Sequence, residues 1–589
     1  EISILCADDT LLPKGATTYP FDMIIGTGVH YLDAWLRTRD GEVVCWFSRE
    51  FTLTGWPEFG DVSYEKTWVQ PNDTLRVSFS IRPVFSQSRQ CLAYTRATDP
   101  QGRLVAEARQ TVGNQGGDVT LELHFVDLIA PLLKIEVFAV EGEDGNLSAW
   151  ELERAPRAYR YISVRIPRPE PALDLVAMAD PPTEPGEETF LRKLEHLGVN
   201  ILHCPAGEAS LVRSDLLRLA CVPELERFEA DHAASGLERQ PCLHQPEYRQ
   251  RTMKQLSETT LTHWAGGIRR YSLGGGNALC LSEENVCQSP DTLHAFGAWL
   301  QHQYGNTENL SAAWGQRITD WSHTSPLTLE AAQKAGQYAP WIDFRCFMDD
   351  TFTAFHAEAR AAVHQSDRQG EAGARFFTDD NPVHGYWWPS LSDKLDYVVA
   401  DWNPLAADKL RAYHRPGAWD GLSFPDINAL KNPQGARWLP WYALSHQIPA
   451  LWFSNLFGSA DAAISHSIIH PDGAPNPLFE ALADESRRLR EGPATLLLEA
   501  APEPPAVLIY ESHASRHLND VDPAFAASQS AAQGAWAEML DSLHRPWAFI
   551  HEERLAMLAA PTTKAVILPL CRALTDHEIQ LFSEYAARG

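Results

Sequence analysis

From about Tyr31 to Pro171 the chain alternates apolar and polar residues with period two, in runs such as "TLRVSFSIRPV", "CLAYTRATD", "DVTLELHFVDL", "LKIEVFAVEGEDGNL" and "YRYISVRI". The turn-forming groups DPQG, NQGG and EDGN separate them. Half-buried strands at this spacing predict an antiparallel β-sandwich of immunoglobulin-like kind over residues 61–168. Residues 1–60, with "YLDAWLRTRDGEVVCWFSREFTL", read as a further β-rich segment, the end of an earlier sandwich.

The pattern then changes. After the Pro-rich "RPEPALDLVAMADPPTEPGEE", the stretch "ETFLRKLEHLGVNILHCP" reads as an amphipathic helix, a glycine stop and a buried strand. Further units follow: a helix near Pro246–Thr262, the strand "RRYSLG", the helix "PDTLHAFGAWLQHQYG", a long helix "DFRCFMDDTFTAFHAEARAAVHQ", the strands "ARFFTDD" and "LDYVVADW", and "WYALSHQIPALWFSNLFG". Strands alternating with helices over residues 169–498 predict a (β/α)8 TIM barrel. No GxGxxG follows a first strand, which argues against a dinucleotide-binding sheet. At 499–589, "AVLIYES" and "KAVILPLCRALTDHEIQLFSEYAARG" predict a second, smaller α/β domain. Because the sequence opens at Glu1 and closes as a helix finishes, that domain is expected to be truncated, and any leader peptide would lie out of view.

Composition narrows the function. The 589 residues are 44% hydrophobic and 21% charged and include 19 Trp, as in a folded globular chain. A formal net charge of -28 opposes nucleic acid as a partner, since such binding rests on Lys and Arg neutralising phosphates. No apolar run reaches the ~18 residues needed to span a membrane. The ten Cys are scattered. No metal-binding motif is read from the chain, and neither a metal nor a cofactor is expected.

Four stretches carry a family resemblance. "HAFGAWLQHQYGNTENLSAAWGQRITDWS" resembles the segment after the fourth barrel strand of glycoside hydrolase family 42, and "LDYVVADWNP" is similar to that family's strand ending in D-x-YP. "YALSHQIPALWFSNLFG" looks like its A-x-A-HGA-x-x-x-x-FRW strand, and the last 25 residues look like the opening half of its flavodoxin-like trimerisation domain. The resemblance implies a retaining exo-glycosidase of β-galactosidase type and a homo-oligomer, a trimer if assembly is shared. It also implies an Asn-Glu pair closing strand four as acid/base and a Glu on strand seven as nucleophile.

Retention needs two carboxyls about 5–5.5 Å apart. Counting from the F-x-x-WL anchor places Asn277 on the family Asn and Ala278 on its Glu, beside Gly274, Gly275 and Gly276. The nearest acids are Glu283 and Glu284, the expected acid candidates, with a solvated loop as the competing reading of both. On strand seven the family Glu falls near Asp420 or Gly421, which makes Asp420 the expected nucleophile and Asp426 the second choice; a plain Asp-Gly turn competes for Asp420. Substrate contacts are expected from Arg239, Asn277, Asp379, Asp380, Asn381, Trp387, Trp388, Asp401, His446 and Trp452, because carboxylates and amides bind sugar hydroxyls while indole rings stack on pyranose faces. Against the enzyme stands a catalytically degenerate barrel that only binds carbohydrate, or an acid/base-mutated enzyme.

Overall fold

The computed structural model describes residues 28–588, apart from 38–42, 54–58, 67, 83–90, 100, 114–115, 131, 142–156, 165–171, 179–186, 205–219, 226–227, 229–236, 266–267, 282–284, 322–323, 378–380, 414, 416, 455–466, 470–473, 491, 523 and 526–527. Its chain divides into two compact units, one holding residues 1–33 and 48–162, the other residues 34–47 and 163–589.

The described elements of the first unit are all β-strands. Strands β1 (Gly28–Arg37) and β2 (Val43–Leu53) pair as a two-stranded sheet. Next come β3 (Phe59–Tyr64), β4 (Trp68–Val69), β5 (Thr74–Ile81), β6 (Cys91–Thr98), β7 (Leu104–Val112), β8 (Gly117–His124), β9 (Leu132–Glu141) and β10 (Arg157–Val164). They form a three-stranded sheet ordered β3-β5-β8 and a five-stranded sheet ordered β4-β10-β9-β6-β7. The antiparallel register Leu75↔Leu123, Val77↔Leu121 and Phe79↔Val119 puts every second residue of β5 and β8 into the core. That is the period-two pattern of the sequence made physical.

The second unit contains eight parallel strands: β11 (Asp174–Met178), β12 (Ile201–Cys204), β13 (Ala220–Pro223), β14 (Arg270–Gly275), β15 (Glu371–Phe376), β16 (Tyr397–Asp401), β17 (Gly421–Phe424) and β18 (Ala450–Phe453). Their order is β13-β12-β11-β18-β17-β16-β15-β14. A parallel bridge between Glu224 and Ser272, with the Leu225 N–H donating to the Ser272 carbonyl at 2.8 Å, joins the two ends into a ring. This is a TIM barrel. Its outer layer includes α1 (Glu187–His196), α2 (Pro246–Ala265), α3 (Pro290–Tyr304), α4 (Ala339–Ser366), α5 (Pro404–Tyr413), α6 (Pro433–Ser445) and α7 (Pro477–Arg490).

Side chains fill the barrel interior in levels. At the N-terminal foot, Trp419 Nε1 donates to Asp174 Oδ2 at 2.7 Å, and the Arg270 guanidinium lies 4.2 Å over the Trp419 ring while pairing with Glu371. Val176, Ile201, Val222, Tyr397, Val399, Ala450 and Trp452 make the apolar middle. Gly421 is glycine for room: a Cβ there would come within 2.6 Å of Trp452 Nε1. Beyond the barrel, β19 (Val507–Tyr510), β20 (Trp547–Ile550) and β21 (Ala565–Ile567) form a parallel sheet ordered β20-β19-β21, and α8 (His513–Val521) follows β19. Among the described residues no helix is long and apolar enough to cross a membrane.

Candidate active site

In barrels of this kind the chemistry sits where the strands end, because the βα loops gather there. Polar side chains meet at this mouth. Arg375, on β15, donates from Nη1 to Asp401 Oδ1 on β16 at 2.7 Å and reaches Ser423 Oγ on β17 at 3.5 Å. Glu224, immediately after β13, has Oε2 3.7 Å from His203 Nε2 on β12, and the His203 ring lies 5.1 Å from Trp452 on β18. The side chains of Glu224, Arg375 and Asp401 keep 15–17% of their surface open. They are positioned to meet a ligand without being fully hydrated.

Strand four contributes space. A Cβ on Gly275 would stand 3.5 Å from Arg375 Nε and 3.6 Å from Glu224 Oε2, so the bare glycine opens onto both groups. Arg375 Nε is buried and has no hydrogen-bond partner among the described residues. A buried donor left unpaired costs free energy that a ligand oxygen would recover. Gly276 differs: its φ is +76° and a Cβ would sit 2.6 Å from Phe377 Cζ. Ala278, expected at the family acid position, is 2% exposed and does not reach the mouth.

Several expected site residues lie elsewhere. Asp420 precedes β17 and so stands at the foot of the barrel, where its Oδ1 accepts the Val398 N–H at 2.7 Å. This corrects its assignment as nucleophile, since the strand is four residues long and its other end carries Asp426. Asp426 Oδ1 accepts from the Asn428 N–H at 2.8 Å and caps the turn after β17. Arg239 is buried, with Nε donating to the Leu279 carbonyl at 2.8 Å and Nη2 to that of Phe228 at 2.9 Å. It anchors the loop after strand four and offers no free fork to a sugar.

Asn277 turns away from the mouth as well. Its Nδ2 donates to the Leu273 carbonyl at 2.7 Å and lies 3.0 Å from His356 Nε2 on α4, while Oδ1 accepts the Phe228 N–H at 3.2 Å. Asn381 Oδ1 accepts the Val383 N–H in a local turn. The indoles expected to stack on sugar are buried: Trp387 lies parallel to the His513 ring at 4.2 Å, and Trp388 packs edge-on to Phe376. His446 ends α6 at the barrel foot, with Nε2 3.2 Å from Asp408 Oδ1. Of the expected contacts, Asp401 stands at the mouth, whereas Trp452 is buried in the apolar middle of the barrel beside Trp419 and Gly421. Glu283, Glu284, Asp379 and Asp380 fall outside the described residues.

The sequence reading missed His203, Glu224, Arg375 and Ser423. A signal existed for Glu224, the carboxylate that directly ends the short apolar run "ACVP".

With this geometry in hand, the chain can be placed among known proteins. A family model, glycoside hydrolase 42 β-galactosidase, matches residues 222–412, which carry Glu224, Gly275, Arg375 and Asp401. A β-galactosidase of Thermus thermophilus is 24% identical over 48% of this chain; the match spans 48% of that protein, so the chain covers about half the length of this curated relative. The β-galactosidase structures from Rahnella sp. R3 and Bacillus circulans sp. alkalophilus superpose with a TM-score of 0.56 each, at 14% and 13% identity, over 72% of this chain and 70% of theirs. These structural likenesses carry the fold. Taken together, the chain is a divergent relative of glycoside hydrolase family 42.

Proposed function

We propose that the protein is a β-galactosidase-like glycoside hydrolase that takes a β-linked sugar at the C-terminal mouth of its barrel. The observation that carries this reading is the convergence of Glu224 Oε2 and the unpartnered Arg375 Nε on the space above Gly275, at the end of strand four. In this reading Glu224 supplies one carboxyl. Asp426, or Glu283 or Glu284 from the loop after strand four, supplies the other; one attacks the anomeric carbon while the other protonates the departing oxygen. Asp401, tied to Arg375, is held as a hydroxyl acceptor and positions the guanidinium.

A second reading has its own support: Gly275 brings no acid to strand four, so the mouth would bind sugar without cleaving it. Aryl β-galactosides and other aryl β-glycosides, assayed with and without azide, separate the two. General acid–base groups typically contribute 10²–10⁴-fold. Turnover that drops by about that factor in Glu224→Gln supports the hydrolase. Turnover unaffected by Glu224→Gln removes Glu224 from the chemistry, and sugar binding without turnover in the unaltered protein establishes the binding barrel. A homo-oligomer, trimeric by analogy with the family, is proposed alongside; light scattering reads it directly.

A further inference from the structure

A second cluster of chemically capable groups lies away from the mouth, between α4 and α8. On α4, Cys346 and Asp349 are three residues apart; on α8, His513 and His517 are four apart. Both spacings put the pair on one helical face. The chain therefore does contain an H-x-x-x-H pair, which the sequence reading passed over.

All four side chains are buried, Asp349 and His517 fully. One donor atom each from Cys346, His513 and His517 lies within 4.8 Å of the others. Asp349 Oδ2 stands 2.9 Å from Nε2 of both imidazoles. Hydrogen bonding leaves this arrangement incomplete: among the described residues, Asp349 Oδ1 and His517 Nδ1 are buried without a partner. Native interiors rarely leave such atoms bare.

We propose that Cys346, Asp349, His513 and His517 form a closed binding site for a divalent transition metal of the zinc type. The donor set is one sulfur, two nitrogens and one oxygen, which suits a tetrahedral Zn²⁺. Charge fits too: a thiolate and a carboxylate with two neutral imidazoles cancel two positive charges, so no net charge is buried. Donor atoms about 2.0–2.3 Å from a tetrahedral ion lie about 3.3–3.8 Å apart, so the Cys346, His513 and His517 donors, within 4.8 Å of one another, need only side-chain adjustment to close on it. Coordination releases the Cys346 thiol proton, and any second proton on the imidazoles, to solvent.

The location gives the site a structural role. Trp387, stacked on His513, and Tyr386, whose carbonyl accepts from Arg516 of α8, belong to the segment after barrel strand five. A metal here would clamp the C-terminal sheet's first helix to both α4 and that segment.

The test uses the full chain, stripped with a chelator and reloaded. One equivalent of Zn²⁺ should return per chain by elemental analysis and raise Tm. Co²⁺ in its place should give a near-ultraviolet thiolate charge-transfer band together with the strong visible bands of a tetrahedral centre. Cys346→Ser should lose the thiolate band, and His517→Gln should weaken Co²⁺ binding at least tenfold, each with far-ultraviolet circular dichroism confirming the fold. Co²⁺ that binds the unaltered chain without a thiolate band, or a Tm that Zn²⁺ leaves unmoved, overturns the proposal without recourse to any variant.

Discussion

At the scale of single residues, two adjacent glycines make opposite predictions. Gly276 has a φ of +76°, a conformation that costs an L-residue about 1–2 kcal/mol, and Phe377 occupies the place of its missing Cβ. Gly276→Ala should lower the unfolding free energy in urea by that amount or more. Gly275→Ala should be close to neutral, since its Cβ meets Arg375 and Glu224 at ordinary contact distances. An equal loss for both would discredit the geometry assigned to strand four. His356 gives a pH prediction. Burial pushes its imidazole down to about 4, and it faces Asn277 and the Phe352 carbonyl, with Nδ1 donating to that carbonyl and Nε2 accepting. Unfolded, it titrates near 6.5, so between about pH 6.5 and 4 the unfolded chain binds the extra proton and stability falls as pH falls. The full effect is up to about 3 kcal/mol. His356→Gln should flatten this limb of a denaturation-versus-pH profile, and a profile with the same slope as the unaltered protein would show that His356 is not held neutral.

At the scale of elements, the loop after strand four depends on Arg239. Its guanidinium binds the carbonyls of Leu279, Pro241 and Phe228 in a site that excludes water, and the Leu279 bond ties it to the loop. Arg239→Lys cannot serve three diverging acceptors and gives up at least one charge-assisted hydrogen bond, a loss of about 1.5–3 kcal/mol. Hydrogen exchange should quicken at residues 276–280 before the sheet itself is affected; unchanged exchange there would mean the loop is held by other contacts. The same region shows what a sequence can and cannot convey. Strands β15 and β16 were readable because their apolar runs repel water from both faces, and Asp401 was readable because it ends such a run. Asp420 misled because β17 is four residues with a carboxylate beyond each end, and so short a run does not show whether Asp420 precedes or ends the strand. Trp387 and Trp388 misled because an indole that could cover a sugar covers a neighbouring helix equally well. Glu224 and Arg375 went unseen because a single polar residue at a strand end has no period; only closure of the ring sets Glu224 beside Gly275.

At the scale of the whole unit, the barrel and the C-terminal sheet share one apolar cluster, which includes Ile509, Trp547 and Phe549, and a buried polar group beside it. Lys409 and Tyr413 of α5 both donate to Glu511, the residue after β19, with Lys409 Nζ 2.7 Å from Oε1. Arg554 adds bonds to the Ala412 and Tyr413 carbonyls at 2.8 and 3.2 Å. The side chains of Lys409 and Glu511 are 7% and 3% exposed, so the pair is sheltered from salt and from water. Replacing a buried ion pair whole can be nearly neutral, but removing one partner strands a charge and costs about 3–5 kcal/mol. Glu511→Gln keeps the shape and the Tyr413 hydrogen bond while leaving Lys409 without its counter-charge. It should therefore cost several kcal/mol, whereas the double variant Glu511→Gln with Lys409→Met should recover most of that loss. Because the pair spans the two substructures, the single variant should also separate one cooperative calorimetric transition into two, the C-terminal sheet melting first. A single transition merely shifted to lower temperature would show that the apolar contacts alone hold residues 163–589 together as one folding unit.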